Sequence, residues 1–205
     1  MSETTTGLRA VLSRPEVYEL FQHVIGARAY MRKAINRYLA PVAGEKVLDI
    51  GCGPGGVLAY LPKVDYVGFD HSERYIQYAS QRYAGRGRFH CDDVKNFAAY
   101  DHGGFDIAIA YGILHHLDDE RAQGLFEIAK KALKPTGRIL TVDPCFFDNQ
   151  DPFSHYVSSN DRGQNVRHVR DYERLAQSVM GVADVHLDHG MSPLPYAACI
   201  MVCRP

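Results

Sequence analysis

No stretch of the chain reaches the roughly 18 consecutive apolar residues that a membrane-spanning helix needs, so no transmembrane segment is expected. Cys-x-x-Cys pairs are missing too. The five cysteines (Cys52, Cys91, Cys145, Cys199 and Cys203) are scattered and odd in number. That argues against a disulfide framework or a zinc site, and reads as free thiols in a reducing compartment. Charge of one sign is also lacking. With 23 Lys and Arg against 24 Asp and Glu, the net charge is −1. A chain so balanced has no general pull toward nucleic acid or an anionic membrane, and neither partner is expected. The opening Met1-Ser2-Glu3-Thr4-Thr5-Thr6 lacks the apolar core of a secretory signal. The expected location is therefore the cytoplasm. No repeat or low-complexity block occurs, and no metal-ligating cluster suggests a metal.

What is present is ordinary globular material. The 205 residues, 46% hydrophobic and 23% charged, suit one domain with a sizeable core. Apolar residues recur at helix spacing from Pro15 (Val17, Leu20, Phe21, Val24, Ile25), and again from Ala27 to Leu39 (Met31, Ile35, Leu39). Pro41 and Gly44 end this helical preface, residues 1–44. From residue 45 to 205 the pattern alternates. Strands are expected at Lys46–Ile50, Asp65–Asp70, Gly87–Cys91, Phe105–Tyr111 and Arg138–Asp143. Helices are expected at Gly55–Leu61, Glu73–Tyr83 and Glu120–Leu133 between them.

Such alternation implies a mostly parallel sheet with helices on both faces, an α/β architecture of the Rossmann-like kind. Residues 144–170 break the rhythm with a long, polar, irregular insertion, the length at which loops serve as lids. A helix over Asp171–Met180 and strands at Val182–Leu187 and Ala197–Cys203 close the chain. The Gly190–Pro195 connection is too short for a helical crossover. The last two strands must pair as a hairpin, which makes one of seven strands antiparallel to the rest.

The chemistry concentrates at Val47-Leu48-Asp49-Ile50-Gly51-Cys52-Gly53-Pro54-Gly55-Gly56, read as strand, tight glycine turn, helix. Gly51, Gly53 and Gly56 fit the dinucleotide spacing G-x-G-x-x-G, and Asp70 stands about 20 residues on, where a ribose-binding acid is expected. A nicotinamide-dependent oxidoreductase is thus one reading. Asp49 tips the balance against it. A pyrophosphate beside that carboxylate would meet like charge, whereas a ligand carrying an ammonium and a sulfonium would be attracted.

Taken together, VLDIGCGPGG, YVGFDHSERYIQYA, FHCDDV, FDIAIAYGILHHLDD and LKPTGRILTVDP resemble, in order, the successive motifs of class I S-adenosylmethionine-dependent methyltransferases over about residues 15–205. The preface and the DRGQNVR insertion are similar to those of small bacterial members. The resemblance implies S-adenosylmethionine as cofactor, S-adenosylhomocysteine as product, and a small-molecule acceptor. Residue by residue, it implies that the backbone of Gly51, Cys52 and Gly53 packs against the methionine and ribose portions, and that Asp49 faces the ammonium. It further implies that Asp70 accepts from the ribose hydroxyls and that His71 lies along the adenine. Asp92, with Asp93 beside it, would read the adenine amino group, and the Val94 backbone a ring nitrogen. Ala110 and Tyr111 would line the methionine side.

The acceptor half is less defined. His115 and His116 follow the fourth strand. Either orients a loop or takes a proton from an acceptor hydroxyl, with His116 the favoured base. His155, Arg162 and Arg167 in the insertion are candidate acceptor contacts, since a guanidinium suits phosphate or carboxylate in forked geometry. Arg28 is a candidate for the cofactor carboxylate. The expected reaction is O-methylation of a sugar or other metabolite. A non-catalytic cofactor-binding module that kept the fold is the remaining alternative.

Overall fold

The computed structural model describes residues 27–99, 103–161, 163–189 and 197–205. The expected first preface helix, Arg162 and the Gly190–Pro195 connection lie outside the described residues. The second preface helix is present as α1 (Ala27–Ala34), which widens into a π-helical turn at Ile35–Leu39. Ala40, in left-handed conformation at φ 45°, ends it and donates its N–H to the Ile35 carbonyl.

The sheet has β1 (Lys46–Ile50), β2 (Asp65–Asp70), β3 (Arg88–Cys91), β4 (Phe105–Tyr111), β5 (Leu133–Phe146), β7 (Val182–Asp188) and β8 (Ala198–Arg204) in the order β3-β2-β1-β4-β5-β8-β7. A two-residue β6 (Arg167–His168) pairs beside the path with Cys145 and Phe146. The expected seven strands thus become eight. β1 to β5 are parallel, and β8 runs antiparallel to both β5 and β7. The hairpin inferred from the short connection is therefore present. Strand order reverses between β1 and β4, and in open parallel sheets the crevice at the carboxyl ends of such strands is where ligands bind.

Helices α2 (Glu73–Arg82), α3 (Asp119–Ala132) and α5 (Val169–Gln177) cover the sheet. Each begins on a side-chain cap. Ser72 accepts from the Tyr75 N–H, Asp118 from Arg121 and His168 from Arg170. The core divides by the period of two along each strand. One face gathers Leu48, Ile50, Phe69 and Phe105 with α3 and α5 residues such as Phe126 and Tyr172. The other gathers Val47, Tyr66, Ile107, Ile109 and Leu140 under Tyr30, Ala34, Ile35 and Leu39 of the preface. No helix among the described residues is long and apolar enough to cross a membrane.

Two expectations need correction. The helix expected at Gly55–Leu61 is a tight 3-10 turn at Gly56–Tyr60, entered from Gly55 at φ 77°. Residues 144–170 are not irregular throughout. β5 continues to Phe146, and α4 spans Pro152–Ser159. Asp151 caps α4 by accepting from the Phe153 and Ser154 N–H groups, with Pro152 in the first turn. An acid N-cap followed by proline is a helix-start signal. It is hidden here because Asp-Pro also reads as a turn.

Candidate functional site

The glycine loop leaves β1 by hooking under β2. Gly51 and Cys52 both donate backbone N–H bonds to the Phe69 carbonyl, at 2.8 and 2.9 Å. Gly51 and Gly53 hold φ values of 71° and 53°, which side-chain-bearing residues rarely adopt. A Cβ at Gly51 would lie 2.4 Å from the Ile113 Cδ1, whereas one at Gly53 would meet nothing within 4 Å. Ile113 therefore packs close against the loop at Gly51, while the space beyond Gly53 is open. Asp70, at the end of β2, accepts the Gly53 N–H on one oxygen at 2.9 Å and the Ser72 N–H on the other at 2.8 Å. A carboxylate has about four acceptor positions, so the bonds that fix its orientation leave capacity for two adjacent hydroxyls.

Further along the same rim, His71 is exposed, and its carbonyl accepts from the Cys91 thiol at 3.5 Å. The two neighbouring acids separate in role. Asp92 Oδ1 accepts from the Asp93 N–H at 2.7 Å and from Asn96 Nδ2 at 2.9 Å. Asp93 serves the Lys95 N–H at 3.0 Å and the Lys95 ammonium at 3.3 Å. Val94 packs against the core.

Asp49 lies behind the loop and is 1% exposed. Its partner is Tyr66, whose hydroxyl donates to Asp49 Oδ2 at 2.6 Å. Register explains the meeting. Asp49 stands opposite Gly68, so no side chain intervenes, and Tyr66 lies two residues back on the same face. Burial pushes the Asp49 carboxyl up to about 7, the nearby Asp70 charge adds to this, and the Tyr66 hydroxyl opposes it. Burial, with Asp49 and Asp70 close by, also raises the Cys52 thiol. Cys52 is thus a buried thiol in the wall of the loop, 6% exposed. Tyr66 was not expected as a site residue. An aromatic hydroxyl in the middle of DYVGFD was the available signal, because a buried tyrosine needs a partner.

β4 delivers Ala110, fully buried, and Tyr111, which packs against the preface side. The chain then turns at Gly112, whose φ of 69° and N–H bond to the Val142 carbonyl at 2.8 Å hold the turn. In the short 3-10 turn that follows, Leu114–His116, the two histidines part company. His115 is buried, with Nδ1 2.8 Å from Asp143 Oδ1 and Nε2 3.3 Å from Asp161 Oδ1. Its backbone N–H also bonds Asp143 Oδ1 at 3.2 Å, and its carbonyl accepts from Asn165 N–H at 2.9 Å. A Cβ on Gly163 would lie 2.1 Å from His115 Cδ2, so the insertion backbone rests directly on the imidazole. His116 is exposed, its ring 4.1 Å from that of His115.

Asp143 and Asp161 were missed by sequence reasoning. Asp143 follows an apolar run in β5 as Asp49 does in β1, and that signal was legible. Asp161 approaches only through folding of the insertion. Asp143 Oδ2 is buried without a hydrogen-bond partner.

Of the insertion candidates, Arg167 is turned to the chain itself. Its guanidinium donates to the Leu114 carbonyl at 3.0 Å, the Leu117 carbonyl at 2.6 Å, the Asn165 carbonyl at 3.1 Å and Asp119 at 2.9 Å. The forked geometry foreseen for an acceptor anion here clamps the histidine turn. His155 is exposed on α4, its ring 5.0 Å from that of Phe146. Among the described residues no group of three or more His, Cys, Asp or Glu side chains is placed to hold a metal ion.

The residues present fit an adenosyl ligand with a cationic tail. The open space at Gly53 adjoins Asp70, and the buried Asp49 carboxyl lies close by at the end of β1. Comparison with known proteins agrees. Residues 47–137 match a family model described as a methyltransferase domain. A phosphoethanolamine N-methyltransferase from Triticum aestivum is 31% identical over 151 residues, covering 70% of this chain and 29% of that protein. A demethylmenaquinone methyltransferase from Thermotoga maritima is 28% identical over 134 residues, 62% of this chain and 57% of that protein. The chain thus spans under a third of the wheat relative's length.

Among solved structures, the plantazolicin methyltransferase BpumL, in complex with S-adenosylhomocysteine, matches with TM-score 0.66 and 18% identity over 96% of this chain and 89% of that one. A TehB-like protein from Corynebacterium glutamicum matches with TM-score 0.63 and 18% identity, over 94% of this chain and 99% of that one. At such identities these two likenesses establish the shared fold.

Proposed function

We propose that this chain, which carries a class I S-adenosylmethionine-dependent methyltransferase domain, methylates a hydroxyl of a small-molecule acceptor, with His115 as the base. The observation that carries this reading is the buried contact between His115 Nδ1 and Asp143 at 2.8 Å. When bound, S-adenosylmethionine supplies a methyl group activated by its sulfonium.

The chain's own residues do the rest. Asp70 and the Gly51–Gly53 backbone hold the adenosyl portion, with Asp92 and Val94 at the adenine end and Asp49 toward the ammonium. Because a carboxylate only accepts, Asp143 favours a proton on Nδ1 and leaves the Nε2 lone pair on the side of Asp161, where the acceptor hydroxyl must enter. Nε2 then takes the hydroxyl proton as the oxygen attacks. The imidazolium so formed lies between Asp143 and Asp161, and both negative charges stabilise it. Gly163 and the Arg167 clamp hold the ring still. Catalysis otherwise rests on aligning acceptor oxygen and methyl group. His116, exposed with its ring 4.1 Å from that of His115, is the alternative base.

An amine acceptor is the second reading, favoured by the similarity to phosphoethanolamine N-methyltransferases. An amine deprotonated in solution makes less demand on a base. The test is transfer of labelled methyl to a panel of hydroxyl metabolites and to phosphoethanolamine, with product masses identified. His115→Ala should lower turnover on the true acceptor by at least about a hundredfold, the usual contribution of a general base, while His116→Ala keeps most of it. Equal loss in both, or methylation of phosphoethanolamine alone, would overturn the hydroxyl reading.

A further inference from the structure

The sheet ends differently at its two edges. β3 is four residues long and carries the exposed Arg88. β7 is seven residues long and contains no lysine, arginine or proline. It pairs with β8 residue for residue from Val182↔Arg204 to Asp188↔Ala198, without a bulge. Among the described residues β8 is its only strand partner. Its other edge is accompanied by exposed apolar side chains, Val182 at 50% and Leu187 at 39%. Long, unbulged edges lacking charge of this protective kind are templates for another strand.

The side-chain pattern selects the occupant. In antiparallel pairing about a twofold axis, facing residues lie on the same side of the sheet. If the axis passes at Val185, Asp184 of each copy faces His186 of the other, and Ala183 faces Leu187. Moving the axis one residue toward Asp184 sets that carboxylate against itself. Moving it one residue toward His186 sets Asp184 against Asp188. Like charges directly opposite are destabilising, and opposite or hydrogen-bonding pairs are favourable. One register is therefore self-complementary and its neighbours are not.

The surrounding surface agrees. Asp184 and His186 line a cleft of about 300 Å³ with Arg37, Tyr38 and Arg204. Arg204 holds Asp184 at 2.8 Å, and the Tyr38 ring lies 4.7 Å from that of His186. Arg37 thus adds positive charge on the side that a second copy's Asp184 would approach.

We propose that two copies of this chain associate through β7, paired antiparallel about Val185 into one continuous sheet. The pairing is confined to one seven-residue edge strand, so the dimer is expected to be reversible. Sedimentation equilibrium of the full chain over a concentration series should show monomer and dimer. His186→Asp sets carboxylates against each other at two symmetric positions and should weaken association about tenfold or more. Adding Asp184→His to that variant exchanges the partners and should restore it. Leu187→Lys, at an exposed edge position, should give a monomer with an unchanged melting curve. A wild-type chain that stays monomeric at every concentration overturns the proposal. So does undiminished association in His186→Asp or in Leu187→Lys. Failure of the double exchange to restore the dimer, with a wild-type melting curve, overturns the register.

Discussion

Asp49→Asn separates the structural cost of the buried carboxyl from its use. In the folded chain this group is raised from 3.8 to about 7, chiefly by burial. Between those values the native state keeps a proton that the unfolded chain has lost. Stability therefore falls as pH rises through this window, by up to about 1.4 kcal/mol per unit, and is level above it. Three units give a ceiling of about 4 kcal/mol. Asparagine has no such titration, and its carbonyl still accepts from Tyr66. Leaving the amide N–H group buried adds a cost that does not vary with pH. The quantity to measure is thus the difference in unfolding free energy, variant minus wild type, by denaturant titration without ligand. It should grow in the variant's favour from pH 4 to pH 7 and then stay flat. Other titrating groups are common to both chains and cancel. Calorimetry with S-adenosylmethionine should show the opposite preference near pH 8. There the wild type binds at least about tenfold more tightly, because its carboxylate meets the ammonium. Parallel stability profiles in the two chains would refute the burial argument, and equal affinities would refute the placement of the ammonium.

The remaining predictions concern the other anchors. Asp70→Ala leaves the Gly53 and Ser72 N–H groups without their acceptor and should cost about 1–3 kcal/mol. It should also abolish the rise in melting temperature caused by S-adenosylhomocysteine, and a full ligand shift in this variant would contradict its role. Arg167→Met strips three carbonyls and Asp119 of their donor and should destabilise by about 3 kcal/mol or more in chemical denaturation. Wild-type stability with selective loss of acceptor affinity would return Arg167 to the acceptor.

The glycine turn and the strand-end acids were legible because they are local. The turn at Gly51–Gly53, the acid at the end of β2 and the acid pair after β3 each lie within a few residues of a strand end. Order along the chain then becomes order along the rim. Strand alternation and the short final connection likewise carried the parallel sheet and its antiparallel β8. The acceptor side depends on residues far apart in sequence. Asp143 meets His115 from 28 positions away, and Arg167 meets Asp119 from 48. Periodicity cannot foresee that a guanidinium will find backbone carbonyls before it finds a ligand. His115 and His116, adjacent and chemically equal on paper, are distinguished only by which one the turn buries.

Three acids lie near the carboxyl ends of parallel strands in this sheet, and their differences lie in what the fold sets beside them. Asp70 keeps partial solvent contact and receives two backbone N–H groups, one on each oxygen, which fixes its orientation. Asp49 is almost wholly buried with a phenol as partner, and burial raises its carboxyl to about 7. Asp143 is equally buried but faces an imidazole, that of His115, at 2.8 Å. β1 and β5 present Asp49 and Asp143 to opposite faces of the sheet, on either side of the β4 tip. A cationic ligand tail and a transient imidazolium can thus each have their own carboxylate without competing for one. The same residue type near the carboxyl ends of three strands thus meets three different surroundings, because burial and the nearest donor differ at each one.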